Sequence, residues 1–126
     1  MRYLATEQLL GAMFYFLLEE NICEINLNDF NNLIEKIDRA LRKENETILN
    51  ISSKEIFIAI EKYNDFFYMN NDNIMLQKDL SNVFKQKTEI IKKIDVYFVL
   101  GIPNDIKTTL KKTIKLYILE KKGNKT

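Results

Sequence analysis

Histidine and tryptophan are absent from this 126-residue chain, which also has one cysteine, one proline and three glycines. Each shortage excludes some chemistry. Without His there is no ordinary proton shuttle at neutral pH, no Ser-His or Cys-His nucleophile pair and no imidazole metal ligand. A lone Cys23 cannot close an intramolecular disulfide, so nothing implies an oxidising compartment, and its expected place is in the core. Gly11, Gly101 and Gly123 stand apart from one another, so no glycine loop cradles a phosphate. Asn70 to Asn73 lacks the ligand spacing and the bidentate Glu of a calcium loop. No metal or other cofactor is implied, and the chain reads as a non-enzyme.

Long hydrophobic runs are missing too. The run Leu9 to Leu18 spans ten residues, about half of the roughly 20 needed to cross a bilayer. Its flanks, Arg2 and Glu7 before and Glu19-Glu20 after, are not those of a secretory leader. The expectation is a cytoplasmic protein with no membrane contact. Arg is scarce at 3 residues against 16 Lys, and Lys, Ile and Asn together supply 47 of the 126 residues. That bias fits an A/T-rich coding sequence.

What is present is a foldable balance, 46% apolar and 29% charged, enough for one domain over 1–126 with a loose tail at 123–126. A first helix runs from Thr6, a candidate N-cap, to about Glu20. Leu9, Leu10, Met13, Phe14 and Leu17 form a stripe, while Phe16 and Leu18 add apolar surface opposite. A helix apolar all round is buried on all sides, so it is either central or completed by a second subunit. Ile22 to Leu27 reads as a short strand. Asn28 and Asp29 then offer a cap to a helix whose Phe30, Leu33, Ile34, Ile37 and Leu41 recur at helical spacing. Glu35 with Arg39 and Asp38 with Arg42 are favourably ordered pairs on its solvated face.

Lys43 to Ile51 is a polar connector. Ser52 and Glu55 match the capping-box pattern ahead of an apolar helix, although the β-branched run 56–60 also fits a buried strand. Phe66 to Met69 and Ile74 to Leu76 flank four turn formers and predict a hairpin over 66–77. From Asp79 the period is helical again, through Leu80, Val83, Phe84, Ile91 and Ile94. Residues 96–100 fit either the end of that helix or a strand, and Gly101 with Pro103 favours the helix end. A last helix carries Ile106, Leu110, Ile114, Tyr117 and Ile118 inward. The fold class is therefore mainly α: about five helices with one small antiparallel hairpin, ending in an antiparallel helical hairpin.

The order of elements over residues 5–77, helices followed by a hairpin, resembles a winged helix, which implies a nucleic-acid-binding regulator. Two features depart from that pattern. The connector is roughly twice the 3 to 4 residues of a compact helix-turn-helix. The helix behind Ser52 offers only Lys54 and Lys62, against Glu55 and Glu61, for reading base edges.

Charge is unevenly distributed. Residues 1–77 hold 7 Lys/Arg and 13 Asp/Glu, net −6, while residues 78–126 hold 12 and 5, net +7. Lys107, Lys111, Lys112 and Lys115 form a stripe on the last helix, with Lys85, Lys87, Lys92 and Lys93 on the helix before it. This ridge is a candidate for a polyanion or a protein partner, and a solvated face in a Lys-rich chain explains the same pattern. Glu19, Glu20 and Glu24 form a carboxylate cluster, the best of the weak catalytic candidates.

The favoured functional expectation is a small binding or regulatory protein acting through a protein partner, with Tyr97, Tyr117 and the Lys ridge as contacts. The alternative is a winged-helix-like nucleic-acid-binding regulator using the same ridge. Surplus apolar surface on the first helix and on Ile56 to Ile60 implies a homodimer.

Overall fold

The helix that is apolar on every side lies at the centre. In the computed structural model, which describes residues 2–49, 51–77 and 87–123, α1 (Thr6–Glu19) buries Leu9, Leu10, Met13, Phe14 and Leu17 together with Phe16 and Leu18. Its N-cap is Ala5 rather than Thr6. Gln8 Oε1 accepts from the Ala5 N–H at 3.2 Å, and the Thr6 hydroxyl is spent elsewhere, donating to Glu55 Oε2 at 3.1 Å. The expected helix start at Asp79, its apolar positions Leu80, Val83 and Phe84, the candidate Lys85 and tail residues 124–126 lie outside the described residues.

Around α1 the other elements close in. A short parallel pair joins β1 (Arg2–Tyr3) to β3 (Thr47–Ile48). Between them in sequence come β2 (Glu24–Asn26) and α2 (Leu27–Asn45), whose Asn26 cap accepts from the Asn28 N–H at 2.9 Å. Of the predicted stripe on α2, Phe30, Leu33, Ile37 and Leu41 are buried and Ile34 is half-buried. Of the two four-residue pairs expected on its outer face, Asp38 and Arg42 close at 3.0 Å.

This helix runs three residues into the expected connector, and Glu46 ends it in the left-handed region at φ 54°. The segment beyond Glu46 is a tethered edge rather than a free linker. Thr47 is fully buried, and the Leu49 N–H donates to Asp38 Oδ1 at 3.1 Å.

Residues 56–60 are helical, within α3 (Ser53–Lys62). Half of the capping box forms: Ser52 Oγ accepts from the Glu55 N–H at 3.3 Å, while the Glu55 carboxylate turns to Thr6 and ties α3 to α1. The hairpin is β4 (Phe67–Asn70) and β5 (Asn73–Leu76), with Asn71 at φ 55° in the turn. It is not a projecting wing. Strand β2 pairs antiparallel with β5, making a three-stranded sheet in the order β2-β5-β4. Phe67, Ile74 and Leu76 are buried on its inner face.

Cys23, expected in the core, is exposed. Its position is set by its backbone, whose carbonyl accepts from the Leu76 N–H at 2.9 Å just ahead of β2.

The chain then forms α4 (Lys87–Ile94), which widens without a break into a single π-turn, Asp95–Val99. There the Leu100 N–H donates to the Asp95 carbonyl at 2.8 Å, the i→i−5 bond of a π-helix. Residues 96–100 are therefore helical in character and not a strand. The π-turn lets two backbones approach closely. Phe98 lies directly on Gly11 of α1, where any Cβ would overlap the Phe98 Cβ and Cγ. Phe98 then stacks edge-on with Tyr63 at 4.9 Å and Phe66 at 5.3 Å, and meets Phe67 at 5.5 Å.

The last helix, α5 (Asn104–Gly123), packs on α2 and α1, and α4 packs on α1. The closing pair shares α1 as its support. With α1 covered by α3, α4, the π-turn and α5, its apolar surface is satisfied within one chain. That removes α1 as a ground for a homodimer. Phe57 and Ile58 on α3, at 44% and 53% exposure, keep the second ground.

Candidate functional site

The lysines expected to form one ridge have separate environments. Lys87 Nζ donates to the Glu19 carbonyl at 3.2 Å and to Asn21 Oδ1 at 3.0 Å, closing the C-terminal end of α1. It is a structural contact, as expected of a cation beside carbonyls that a helix end leaves unpaired. Lys92 is exposed on α4. Lys93 stands 5.0 Å from the centre of the Tyr97 ring. On α5, Lys107 is half-buried, whereas Lys111, Lys112 and Lys115 are exposed and, among the described residues, in no ion pair.

Three ion pairs join the acidic and basic parts of the chain: Arg2 meets Asp105 at 2.6 Å, Lys36 meets Glu120 at 2.9 Å and Lys121 meets Asp29 at 3.1 Å, and of these the Lys121–Asp29 pair alone sets a surplus cation against a surplus acid. Such exposed pairs contribute about 0 to 1 kcal/mol each. Arg2 and the Asn45 amide hold the Asp105 carboxyl at about 2, below the usual carboxylate range.

Tyr117 is likewise engaged. Its hydroxyl donates to Asp29 Oδ2 at 3.2 Å, and partial burial, reinforced by that carboxylate, pushes the phenol up to about 12. It is a packing residue rather than a free contact.

Tyr97 is different. The π-turn presents Val96, Tyr97 and Leu100 at 64%, 54% and 66% exposure. The Tyr97 ring is braced by Phe66 at 5.2 Å, so it is both exposed and held in place. A cation over an exposed ring adds about 0.5 to 1 kcal/mol to that bracing.

Behind this patch lies a groove of about 300 Å³ between α1, the π-turn and the start of α5. Tyr15, Phe16 and Glu19 line it from α1, Asp95 and Val99 from the π-turn, and Asn104, Lys107, Thr108 and Lys111 from α5. The Tyr15 phenol is raised above its ordinary range, first by burial and then by the charges of Glu19 and Asp95. Among the described residues, Glu19, Asp95, Lys107 and Lys111 form no ion pair through their charged groups.

Among the described residues no three carboxylates or thiols are placed to hold a metal ion. Nor is any described helix long and apolar enough to cross a membrane. No family model, curated protein or solved structure matches the chain. Of the groove residues, Lys107 and Lys111 are legible from the Lys stripe. Tyr15, Asp95 and Val99 are not, because their only local signal is a four-residue spacing that core packing also produces.

Proposed function

We propose that this chain is a small non-enzymatic binding protein that works through a protein partner. The observation that supports the reading is the braced apolar patch on the π-turn, Val96, Tyr97 and Leu100. Rigid aromatic anchors beside aliphatic side chains are what protein interfaces use for most of their affinity. π-turns inside helices also occur frequently at functional sites. The exposed Phe57 and Ile58 of α3 are assigned to contact between two copies, and the site of action is assigned to the cytoplasm.

A second reading keeps nucleic acid as the partner. It draws on the uncommitted charges of Lys111, Lys112 and Lys115 and on the order α1-β2-α2-β3-α3-β4-β5, which resembles a winged helix. Against it, the exposed positions of α3 set Lys54 and Lys62, the latter paired with Glu7, against Glu55, Glu61, Phe57 and Ile58, a poor set for reading base edges.

Affinity capture from extract, with and without nuclease, separates the two. Under the first reading a nuclease-resistant protein is recovered and is lost when Tyr97→Ala and Leu100→Ser are combined. Under the second, nucleic acid is recovered, binding disappears when Lys107, Lys111, Lys112 and Lys115 become Gln, and log affinity falls with log salt at a slope of roughly −3 to −4.

A further inference from the structure

We propose that the groove between α1, the π-turn and α5 binds a small zwitterion, an α-amino acid with an apolar side chain. The argument starts from its four charges. Glu19, Asp95 and Lys107 are half-buried and Lys111 is exposed, yet none of the four forms an ion pair among the described residues. Three separate backbone segments carry them, so the groove of about 300 Å³ keeps them apart. Charges of both signs that line one groove without pairing are open to a ligand that supplies a partner for each.

The balance of signs selects the ligand. An anion alone would satisfy Lys107 and Lys111 but face Glu19 and Asp95. A cation alone has the reverse problem, and an uncharged molecule leaves all four charges unmatched. A molecule with an ammonium and a carboxylate a few bonds apart matches both sets. Tyr15, Phe16 and Val99 give the groove an apolar wall that suits an apolar side chain, with Asn104 and Thr108 as its uncharged polar lining. The volume lies at the small end of pockets that hold metabolite-sized ligands. This site is independent of the partner-binding patch: the π-turn directs Asp95 and Val99 into the groove while Val96 and Tyr97 face solvent.

The test is calorimetric titration of the full chain with L-leucine, and with leucine lacking either its amine (4-methylpentanoate) or its carboxylate (3-methylbutylamine). Saturable binding of leucine is expected, with each single-charge analogue about tenfold weaker or worse. Asp95→Asn and Lys107→Gln should each weaken leucine binding, and Lys111→Gln provides a fully surface variant. Far-UV circular dichroism checks that all three keep the fold. Absence of leucine binding up to about 10 mM, equal binding of an analogue, or unchanged affinity in all three variants would each overturn the assignment.

Discussion

Helices α1 and α5 carry comparable sets of large apolar side chains, and the fold uses them in opposite ways. In α1 every such side chain but the half-buried Tyr15 is buried, with Met13, Phe14 and Leu17 at 0% exposure. In α5, Ile106, Leu110, Ile114 and Ile118 are buried along one stripe, while Leu116 and Leu119 stand at 53% and 64%. Burial thus depends on where a helix sits. The central helix is covered from several directions, whereas a peripheral one has supports on one side and leaves the rest for solvent, ions or partners.

The contrast is broken most readily at Phe14, which meets Phe67 at 5.0 Å with no solvent exposure. Phe14→Ala should cost about 3 to 5 kcal/mol in urea denaturation. A loss below about 1 kcal/mol, outside the range for a buried aromatic, would mean that α1 is not the hub.

Gly11→Ala sharpens the comparison, because two effects compete there. Alanine raises helix propensity by about 1 kcal/mol, but the new methyl overlaps Phe98 at its Cβ and Cγ, where only backbone movement gives relief. Overpacking of this kind costs about 1 to 3 kcal/mol or more, so net destabilisation is expected. A more stable variant would show that the π-turn can lift off α1.

Smaller effects belong to α5. Because Asp105 has its carboxyl lowered to about 2, its contribution is present above the unfolded pKa near 4 and is lost as pH falls toward 2. Asp105→Asn should therefore flatten the acid loss of stability between about pH 4 and 2. An unchanged acid limb would show that Arg2 does not hold α5. Smallest of all, Leu116→Gln with Leu119→Gln should change stability by no more than about 0.5 kcal/mol per site. A larger loss, growing with protein concentration, would reveal that this face is covered by another copy.

Local patterns predict the elements well where one rule governs them. The spacing of Phe30, Leu33, Ile37 and Leu41 locates α2 and its buried stripe. Ser52 locates the start of α3 and resolves residues 56–60 as helix. The turn formers at 70–73 locate the hairpin. The errors fall where a side chain has two possible partners. Thr6, a candidate cap for its own helix, instead bonds Glu55, and the Glu55 carboxylate leaves its half of the capping box for the same contact. Lys87, a candidate for a polyanion surface, instead closes the end of α1. The connector after α2 looks free in the sequence because pairing between β1 and β3 joins residues 2–3 to 47–48, a separation no local window spans.

The amino-acid sequence by itself determined the helical class, the position of the hairpin, a first helix buried on all sides and the poverty of catalytic groups. All four rest on periodicity and composition, which are properties of neighbours along the chain. Tertiary structure decided that β2 would cover the hairpin edge, that α1 would be closed within one chain, which lysines would be left unpaired, and that Glu19, Asp95, Lys107 and Lys111 would share one groove. The physical reason is that a charge or an apolar face takes its partner from whatever segment long-range packing brings beside it. Here the contact of Phe98 with Gly11 sets how closely the π-turn lies on α1, and with it the wall of the groove.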